Sequence, residues 1–213
     1  DIEAAARELI TSTIKAHKRI IFNLDGYGPA WEPEAARRGL LNNKDTADAT
    51  EVFFEKKNID VFVSQGVYTE EEAVARAMVR LENYVKIINI EALTMLKMAK
   101  QDIIPAVSDY VAELCSNVAA KKAISENIPC ETEKGLITRL SALNDSFAKE
   151  VAKLESLLAG IDKEDVRPAS KAMAHEVLPR MQAMRKIADE METLTTEDYW
   201  PYPSYTELLY SVK

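Results

Sequence analysis

The residues of this chain that could do chemistry are two histidines, a few closely spaced acids and one glycine-rich stretch. His17 and His175 could act as general acids, general bases or metal ligands. Neither has a cysteine, another histidine or a paired acid at the spacing of metal ligands. His17 precedes Lys18 and Arg19 near a predicted helix end, where a cation suits the helix dipole. We therefore expect capping or surface roles for both histidines.

Acidic and glycine-rich stretches offer two further kinds of site. The sequences TEEE at 69–72 and ETE at 131–133 could supply carboxylates to a metal, but helix capping and surface exposure explain them without a ligand. The DGYG stretch at 25–28 lacks the preceding strand and the third glycine of a dinucleotide loop, and no GxxxxGK[ST] occurs. We interpret it as a turn. The residues alone therefore predict no catalytic, cofactor-binding or metal site in this chain.

The elements that must position these residues are predicted to be helices. Thr69 and Glu72 match a capping box that begins a helix reaching about Ser125, with only Pro105 inside it. Pro105 lacks a backbone donor and should kink this helix. Two more long helices follow, the second interrupted by Pro179. We infer an all-α fold: an elongated antiparallel bundle of about three long helices plus several short helices.

Apolar positions recur along all three long helices. In the first, a stripe is widened past half the circumference, so we expect neighbours to cover this helix on several sides. In the second, steps of three and four give the period of a straight helix. In chain order, the positions are Val74, Met78, Leu81, Val85, Ile88, Met95 and Ala99, widened by Ile87, Ile90, Leu93 and Leu96; Leu136, Leu140, Leu143, Phe147, Val151, Leu154 and Leu158; and Val166, Met173, Val177, Met184, Ile187, Met191 and Leu194.

Several caps and short helices are predicted from glycine and aspartate. The stretch NIDVFVSQG is assigned to a helix because no second strand appears to pair with it, and Gly66 suits its C-terminus. Gly39 suits the end of another short helix. Asp162 is expected to cap the helix that follows Gly160. The chain opens without an initiator methionine or a cap for its first helix, which predicts that it is a fragment.

Composition narrows the class of protein. The net charge of −8 argues against nucleic-acid binding. The two cysteines, Cys115 and Cys130, suit buried free thiols in a reducing compartment. No apolar run approaches the roughly 20 residues that span a bilayer, and no signal peptide is seen, so we expect no membrane association.

The C-terminal stretch DYWPYPSYTELLYSV is the most aromatic segment and holds four of the eight tyrosines. Its prolines predict an extended turn that carries the aromatic side chains back onto protein. Ser204 and Glu207 then match a second capping box. Two surfaces remain candidates for what this segment covers: one on this chain and one on a partner. Our candidates for a structural or assembly role are Trp200, Pro201, Tyr202, Pro203 and Tyr205.

Four stretches resemble one enzyme family. ADEMETLTTEDYWPYPSYTELLYSV at 188–212 resembles the C-terminus of type III glutamine synthetases, and RLENYVKIINIEALTMLKMAKQDIIPAVSDYVAEL at 80–114 is similar to their long helix. HKRIIFNLDGY and EAARRGL resemble the entry to their C-terminal region, and FFEKKNIDVFVSQGVYTEEE resembles a segment near the end of glutamine synthetases more widely. Leu24 departs from an expected glycine, and Leu41 from an expected proline-containing link.

The resemblance implies a function for a longer protein. Type III glutamine synthetases phosphorylate glutamate with ATP to γ-glutamyl phosphate and let ammonia displace the phosphate, using Mg or Mn. Their catalytic residues lie upstream, so none is carried over to this chain. The resemblance also implies a cytoplasmic, ring-shaped, dodecameric homo-oligomer. It suggests three segments: 1–66, short helices and loops joining an upstream catalytic domain; 67–195, the long-helix bundle; and 196–213, the aromatic turn and short helix.

Two functions of different classes remain open at this stage. In the first, the chain is the C-terminal region of such an enzyme, with a structural and assembly role and no activity of its own. In the second, it is a free-standing helical module that binds another protein through its aromatic tail.

Overall fold

The structure, a computed structural model, describes residues 1–210. Those residues contain helices and no strand, which confirms the all-α prediction. By its internal contacts the chain divides into two units, the first ending at Asp45 and the second beginning at Thr46. The predicted last segment, 196–213, extends past the described residues by three positions. Within the described part, no helix is long and apolar enough to cross a membrane.

The first unit contains two α-helices, α1 (Ile2–Ala16) and α2 (Trp31–Arg37), with a short 3₁₀ turn after α1. We expected α1 to lack a cap, and this is wrong: the Asp1 carboxylate accepts a hydrogen bond from the backbone N–H of Glu3 at 3.1 Å. At its other end, His17 occupies the C-cap position, which is one of the two roles expected for it, capping or surface exposure. No residue of α1 is buried.

Aromatic rings and ion pairs hold α2 to the loop before it. The Phe22 and Trp31 rings lie 4.7 Å apart, and the Arg38 guanidinium lies over Phe22 at 5.5 Å. The Glu34 carboxylate accepts hydrogen bonds from Arg37 and Arg38, and these bonds lower the pKa of Glu34 to about 2. Arg38 also donates to the carbonyl oxygen of Arg19, at 3.1 Å.

Two glycines take the left-handed backbone conformation that the sequence indicated. Gly39 has φ +67 and Gly66 has φ +65. No other kind of residue between positions 1 and 210 has a positive φ. Leu24 therefore replaces the expected glycine without backbone strain.

The second unit is built around one helix that runs without a break from residue 70 to residue 124. It consists of α5, a π-helical turn and α6. Segment 46–64, which the sequence analysis grouped with the first 66 residues, packs on α5 within this unit. The helices are α3 (Thr46–Glu51), α4 (Lys56–Ser64), α5 (Glu70–Met98), α6 (Ile104–Ile124), α7 (Glu131–Gly160), α8 (Val166–Ala172), α9 (Leu178–Leu194) and α10 (Tyr205–Tyr210).

The sequence placed the ends of the long helices largely correctly. Thr69 and Glu72 form the predicted capping box, with the Thr69 hydroxyl accepting from the Glu72 N–H and the Glu72 carboxylate from the Thr69 N–H. Asp162 does not cap α8, because α8 begins later, at Val166. The Asp162 carboxylate instead accepts from the Glu164 N–H at 3.0 Å and closes a turn.

Pro105 and Pro179, the two prolines in the middle of long helical runs, each follow a π-helical turn. The turn Ala99–Ile103 ends two residues before Pro105, and the turn Met173–Val177 ends two residues before Pro179. A proline has no N–H and its ring crowds the carbonyl four residues earlier, so one wider turn lets the helix continue past it. The interruptions predicted at the two prolines therefore take this form.

The three long helical runs are antiparallel neighbours. Along one helix the residue numbers of the paired side chains rise, while along its partner they fall. The ion pairs are Lys100–Glu155 and Lys121–Glu133 on one side of α7, and Arg139–Glu190 and Arg180–Glu150 on the other. The core lies between these helices and is centred on residues such as Phe147, which is 2% exposed.

The outer face of α5 is the largest difference from the predicted core. Ile87, Ile90 and Leu93 were expected to be covered, yet Ile90 is 62% exposed and the others are similar. The side of α5 facing the core also includes small buried residues that were not predicted, which are Ala73, Ala77 and Ala92. Residues 46–210 thus leave one apolar face of the long helix uncovered.

Both cysteines are free, as expected, but their burial differs. Cys130 is buried and its thiol donates to the carbonyl oxygen of Ile128 at 3.4 Å, whereas Cys115 is exposed on α6. The prediction of two buried thiols is therefore wrong for Cys115.

Candidate functional site

The aromatic tail turns back onto the long helices directly after α9. The backbone N–H groups of Tyr199 and Trp200 both donate to the carbonyl oxygen of Thr196, at 3.0 and 2.9 Å, and this closes a tight turn. Pro201 and Pro203 then flank Tyr202 and fix the backbone of an extended stretch. This local geometry points the aromatic rings toward α5 and α6.

Tyr199 attaches the tail to α6. Its hydroxyl donates a hydrogen bond to the Glu113 carboxylate, and its ring packs against Tyr110 with centroids 5.3 Å apart. The hydrogen bond to Glu113, with smaller contributions from burial and nearby acids, raises the pKa of Tyr199. Tyr199 therefore stays neutral over a wider pH range than a free tyrosine.

Tyr202 attaches the tail to the π-helical turn. Its hydroxyl donates to the Asp102 carboxylate at 2.9 Å, and Asp102 belongs to the turn Ala99–Ile103. Burial first, and then this hydrogen bond, raise the pKa of Tyr202 to about 12. Trp200 packs edge-on against the Tyr202 ring, with centroids 6.4 Å apart.

A groove of about 530 Å³ lies beside the tail, between α5 and α9. Its apolar lining includes four methionines, Phe147 and two residues of the tail: Met95, Met98, Met181 and Met184, then Trp200 and Tyr202. Its rim is polar, and includes Glu91, Glu192 and the ion pair of Arg185 with Asp189. Methionine-lined apolar grooves adapt to different side chains, so the groove suits packing against protein.

The structure brings together some of the predicted tail residues and leaves others apart. Trp200 and Tyr202 are half-buried against the core of this chain, while Pro201 and Pro203 are exposed. Tyr205 is 85% exposed, so the described residues do not cover it. The predicted second capping box is present, because Ser204 N–H donates to Glu207 at 2.7 Å and the Ser204 hydroxyl accepts from the Glu207 N–H. Whether these residues act in assembly stays a prediction.

Sequence reasoning missed the residues that receive the tail. Asp102, which is half-buried, and Glu113, which is exposed, are acids on a helix about a hundred residues before the tail. Nothing in their local sequence distinguishes them from other surface acids. Tyr199 did have a signal, since it lies inside the aromatic stretch, but we chose only its neighbours.

The stretches considered for metal or phosphate chemistry are engaged in local structure. The N–H groups of Tyr27 and Gly28 both donate to Asp25, so the DGYG stretch closes as a turn. Glu72 serves the capping box, and Glu133 pairs with Lys121. His175 lies on the surface, with its Nε2 atom 3.4 Å from Asp48. The site formed by the tail and groove therefore offers packing and hydrogen bonding.

Comparison with known proteins places the chain in a family. A family model described as "Glutamine synthetase C-terminal domain" matches residues 5–122. The chain is 33% identical to a glutamine synthetase of Butyrivibrio fibrisolvens over its whole length, covering 31% of that protein. It is 26% identical to a type-3 glutamine synthetase of Dictyostelium discoideum and 27% identical to a glutamine synthetase of Bacteroides fragilis. In both cases 98% of this chain aligns and covers 29% of the relative.

The chain thus spans under a third of the length of the curated relatives it matches. The family match covers more than half of this chain, including most of α1, all of α2 and nearly all of the long helix of the second unit. This chain belongs to the glutamine synthetase C-terminal domain family.

Proposed function

We propose that the chain is the C-terminal helical region of a type III glutamine synthetase and has a structural and assembly role in it. The observation that carries this proposal is α1. Its apolar stripe includes Leu9, which is 67% exposed, and Ile10 and Ile14, which are also exposed. An amphipathic helix of 15 residues without a single buried side chain gains little from its own unit and needs a covering surface.

The occupant proposed for the apolar face of α1 is the catalytic region that precedes this chain in the full-length enzyme. Two facts support it: the relatives are more than three times as long as the aligned part, and the family match includes almost all of α1. In the full-length enzyme, that region would use ATP and Mg or Mn to join ammonia to L-glutamate. The glycine-rich stretch of this chain closes as a turn on Asp25, so that stretch forms no phosphate cradle.

The uncovered surfaces of the second unit are proposed to contact neighbouring subunits. The outer face of α5 and the helix α10 both expose apolar side chains, including Ile90 and Leu209. A cytoplasmic, ring-shaped, dodecameric homo-oligomer, as the resemblance implies, would bury such surfaces many times over. The tail would then fix the position of α10 through the bonds of Tyr199 and Tyr202 to the long helix.

One pair of substitutions tests the proposal in two contexts. Leu9→Gln with Ile10→Gln should leave the thermal unfolding of the 213-residue chain unchanged, because both side chains are exposed there. In the full-length enzyme the same change should lower the melting temperature and the rate of glutamine formation. Thr11→Gln with Ser12→Gln, also exposed on α1, is the matched control and should be silent in both contexts.

Two results would overturn the proposal. One is a full-length enzyme that tolerates the Leu9 and Ile10 changes as well as the control. The other is glutamine formation by the 213-residue chain alone. The second result would show that the chain needs no preceding region for activity.

A further inference from the structure

Three aromatic rings form a row at the start of α5, away from the tail. Phe53, in the 3₁₀ turn after α3, stacks nearly parallel to Phe62 of α4, with centroids 6.3 Å apart. Phe62 in turn contacts Tyr68 with centroids 5.7 Å apart. All three rings are half-buried, so they form a fixed platform with one open side.

Two arginines of α5 lie on this platform. The Arg76 guanidinium is 4.7 Å from the centre of the Tyr68 ring, and the Arg80 guanidinium is 5.0 Å from the centre of the Phe53 ring. They are four residues apart, so they project from the same side of the helix, one turn from each other. Together with Val79 and small alanines they line an open pocket of about 660 Å³.

These two arginines differ from the other arginines between residues 46 and 210 in having no carboxylate partner. Each of the other four forms an ion pair, and Arg76 and Arg80 form none within the described residues. The paired arginines are Arg139 with Glu190, Arg167 with Glu51, Arg180 with Glu150, and Arg185 with Asp189. The chain carries 35 acidic and 27 basic residues, so a shortage of acids does not explain why these two arginines have no carboxylate partner.

Arg167 shows what a stacked guanidinium does in this molecule when an acid is present. It lies over the Phe54 ring at 4.6 Å and donates two hydrogen bonds to the Glu51 carboxylate, at 3.1 and 2.5 Å. Stacking uses the face of the guanidinium and leaves the N–H groups in its plane free to bind a carboxylate. Arg76 and Arg80 also stack on aromatic rings, but neither binds a carboxylate of the described residues.

The acid that lines the pocket is already used. Glu72 closes the capping box of α5 through both its N–H and its carboxylate. It therefore stays bonded at the helix start, one turn from Arg76, and does not neutralise the pair by a direct contact. The pocket is left with two preorganised cations above an aromatic floor.

We propose that this pocket, which we term the arginine platform (Phe53, Phe62, Tyr68, Arg76, Arg80), binds an acidic amphipathic segment of a partner protein. The segment carries two carboxylates about one helical turn apart, matching the two guanidinium groups. Its apolar side chains contact the exposed Val79 and the edges of the rings. An open pocket of this kind suits a protein segment better than a small dicarboxylate, which would stay largely in water.

A peptide probe tests the arginine platform on the 213-residue chain. The probe is a blocked, alanine-based peptide of about 20 residues, long enough to populate a helix in water, with two glutamates four positions apart and two leucines on the same face. A second peptide carries glutamine in place of both glutamates, and glutarate represents a free dicarboxylate. Binding is measured by isothermal titration calorimetry at low salt and by amide chemical shifts of the protein.

The variants are Arg76→Gln, Arg80→Gln and, as the matched control, Arg139→Gln on α7. We expect the glutamate peptide to bind the wild type and Arg139→Gln equally and each platform variant about tenfold more weakly. Equal binding to the platform variants would overturn the proposal, as would equal binding of the glutamine peptide. If glutarate binds as tightly as the glutamate peptide, the proposal of a protein segment is overturned in favour of a small dicarboxylate ligand. Circular dichroism confirms that each variant folds.

Discussion

Replacing Tyr202 by Phe tests whether its hydroxyl holds the aromatic tail on the long helix. The substitution removes the O–H that donates to Asp102 at 2.9 Å and keeps the ring that packs against Trp200. Asp102 is half-buried, so water can still reach its carboxylate and replace the lost donor. The change therefore isolates one hydrogen bond between the tail and the π-helical turn.

The size of the effect follows from the shift in the pKa of Tyr202. The pKa rises from 10.0 to about 12, and a shift of two units corresponds to an upper limit of about 2.7 kcal/mol. Burial is the larger cause of this shift, and Tyr202 and Asp102 are both only half-buried, so the hydrogen bond itself accounts for about 1 kcal/mol. For a chain of this size, Tyr202→Phe should lower the melting temperature by about 2–4 °C near neutral pH.

The pH dependence has a definite sign. A raised pKa in the folded state means that folding favours the neutral tyrosine, so its stabilising contribution is complete below the pKa of the unfolded chain, 10.0. The contribution declines as the pH rises from 10.0 and is lost above about 12. The stability difference between wild type and Tyr202→Phe should therefore shrink across this alkaline window, while other titrating groups affect both proteins equally.

Urea unfolding followed by far-ultraviolet circular dichroism measures this difference at a series of pH values. Tyr205→Phe is the matched control, because it removes the same hydroxyl from a side chain that is 85% exposed, and it should have no effect. The reasoning would be refuted if the stability difference between wild type and Tyr202→Phe were as small as that between wild type and Tyr205→Phe. It would also be refuted if the difference for Tyr202→Phe were the same at pH 8 and above about pH 12.

Four further substitutions test other parts of the structure by the same unfolding measurement. Trp200→Ala should lower the free energy of unfolding by about 2 kcal/mol, because a half-buried indole is lost. In the full-length enzyme it should also reduce the amount of oligomer seen by size-exclusion chromatography. An unchanged elution profile would count against an assembly role for Trp200. Thr69→Ala should cost about 1 kcal/mol by removing the α5 capping box. Gly135→Ala, inside α7 where a Cβ meets nothing within 4 Å, should add about 0.5–1 kcal/mol, whereas Gly66→Ala, at φ +65, should destabilise.

The helices and their ends could be predicted because their signals are local. A capping box needs residues three apart, and a left-handed helix end needs one glycine, so Thr69 and Gly66 could be identified from the sequence. The α7 stripe was correct for a similar reason: it is regular, and only Leu136 at its start is less than buried. The prediction of a cap at Asp162 is wrong because Asp162 closes a turn before the helix begins. Such a turn uses the same hydrogen bond from a backbone N–H to a carboxylate as a helix cap does.

The partners of the tail could not be predicted, because they are distant in sequence. Tyr202 bonds to an acid 100 residues earlier and Tyr199 to one 86 residues earlier. Their pairing depends on how three antiparallel helices align, which no local pattern records. The arginine platform is similar: Phe53, Phe62 and Tyr68 are unremarkable singly, and only the fold places them beside α5.

The errors on α5 are of two kinds, and they have different physical causes. The missed Ala73 and Ala77 are small residues, whose burial depends on how closely the neighbouring helices approach. The exposed Ile87, Ile90 and Leu93 are large, and their apolar surface would have to be covered somewhere to offset the cost of exposing it. The sequence shows which apolar surfaces must be buried in the complete assembly. The structure of residues 46–210 shows only which of them are buried within this unit. The difference between the two, on α5 and at Tyr205, therefore supports the proposed contacts with neighbouring subunits.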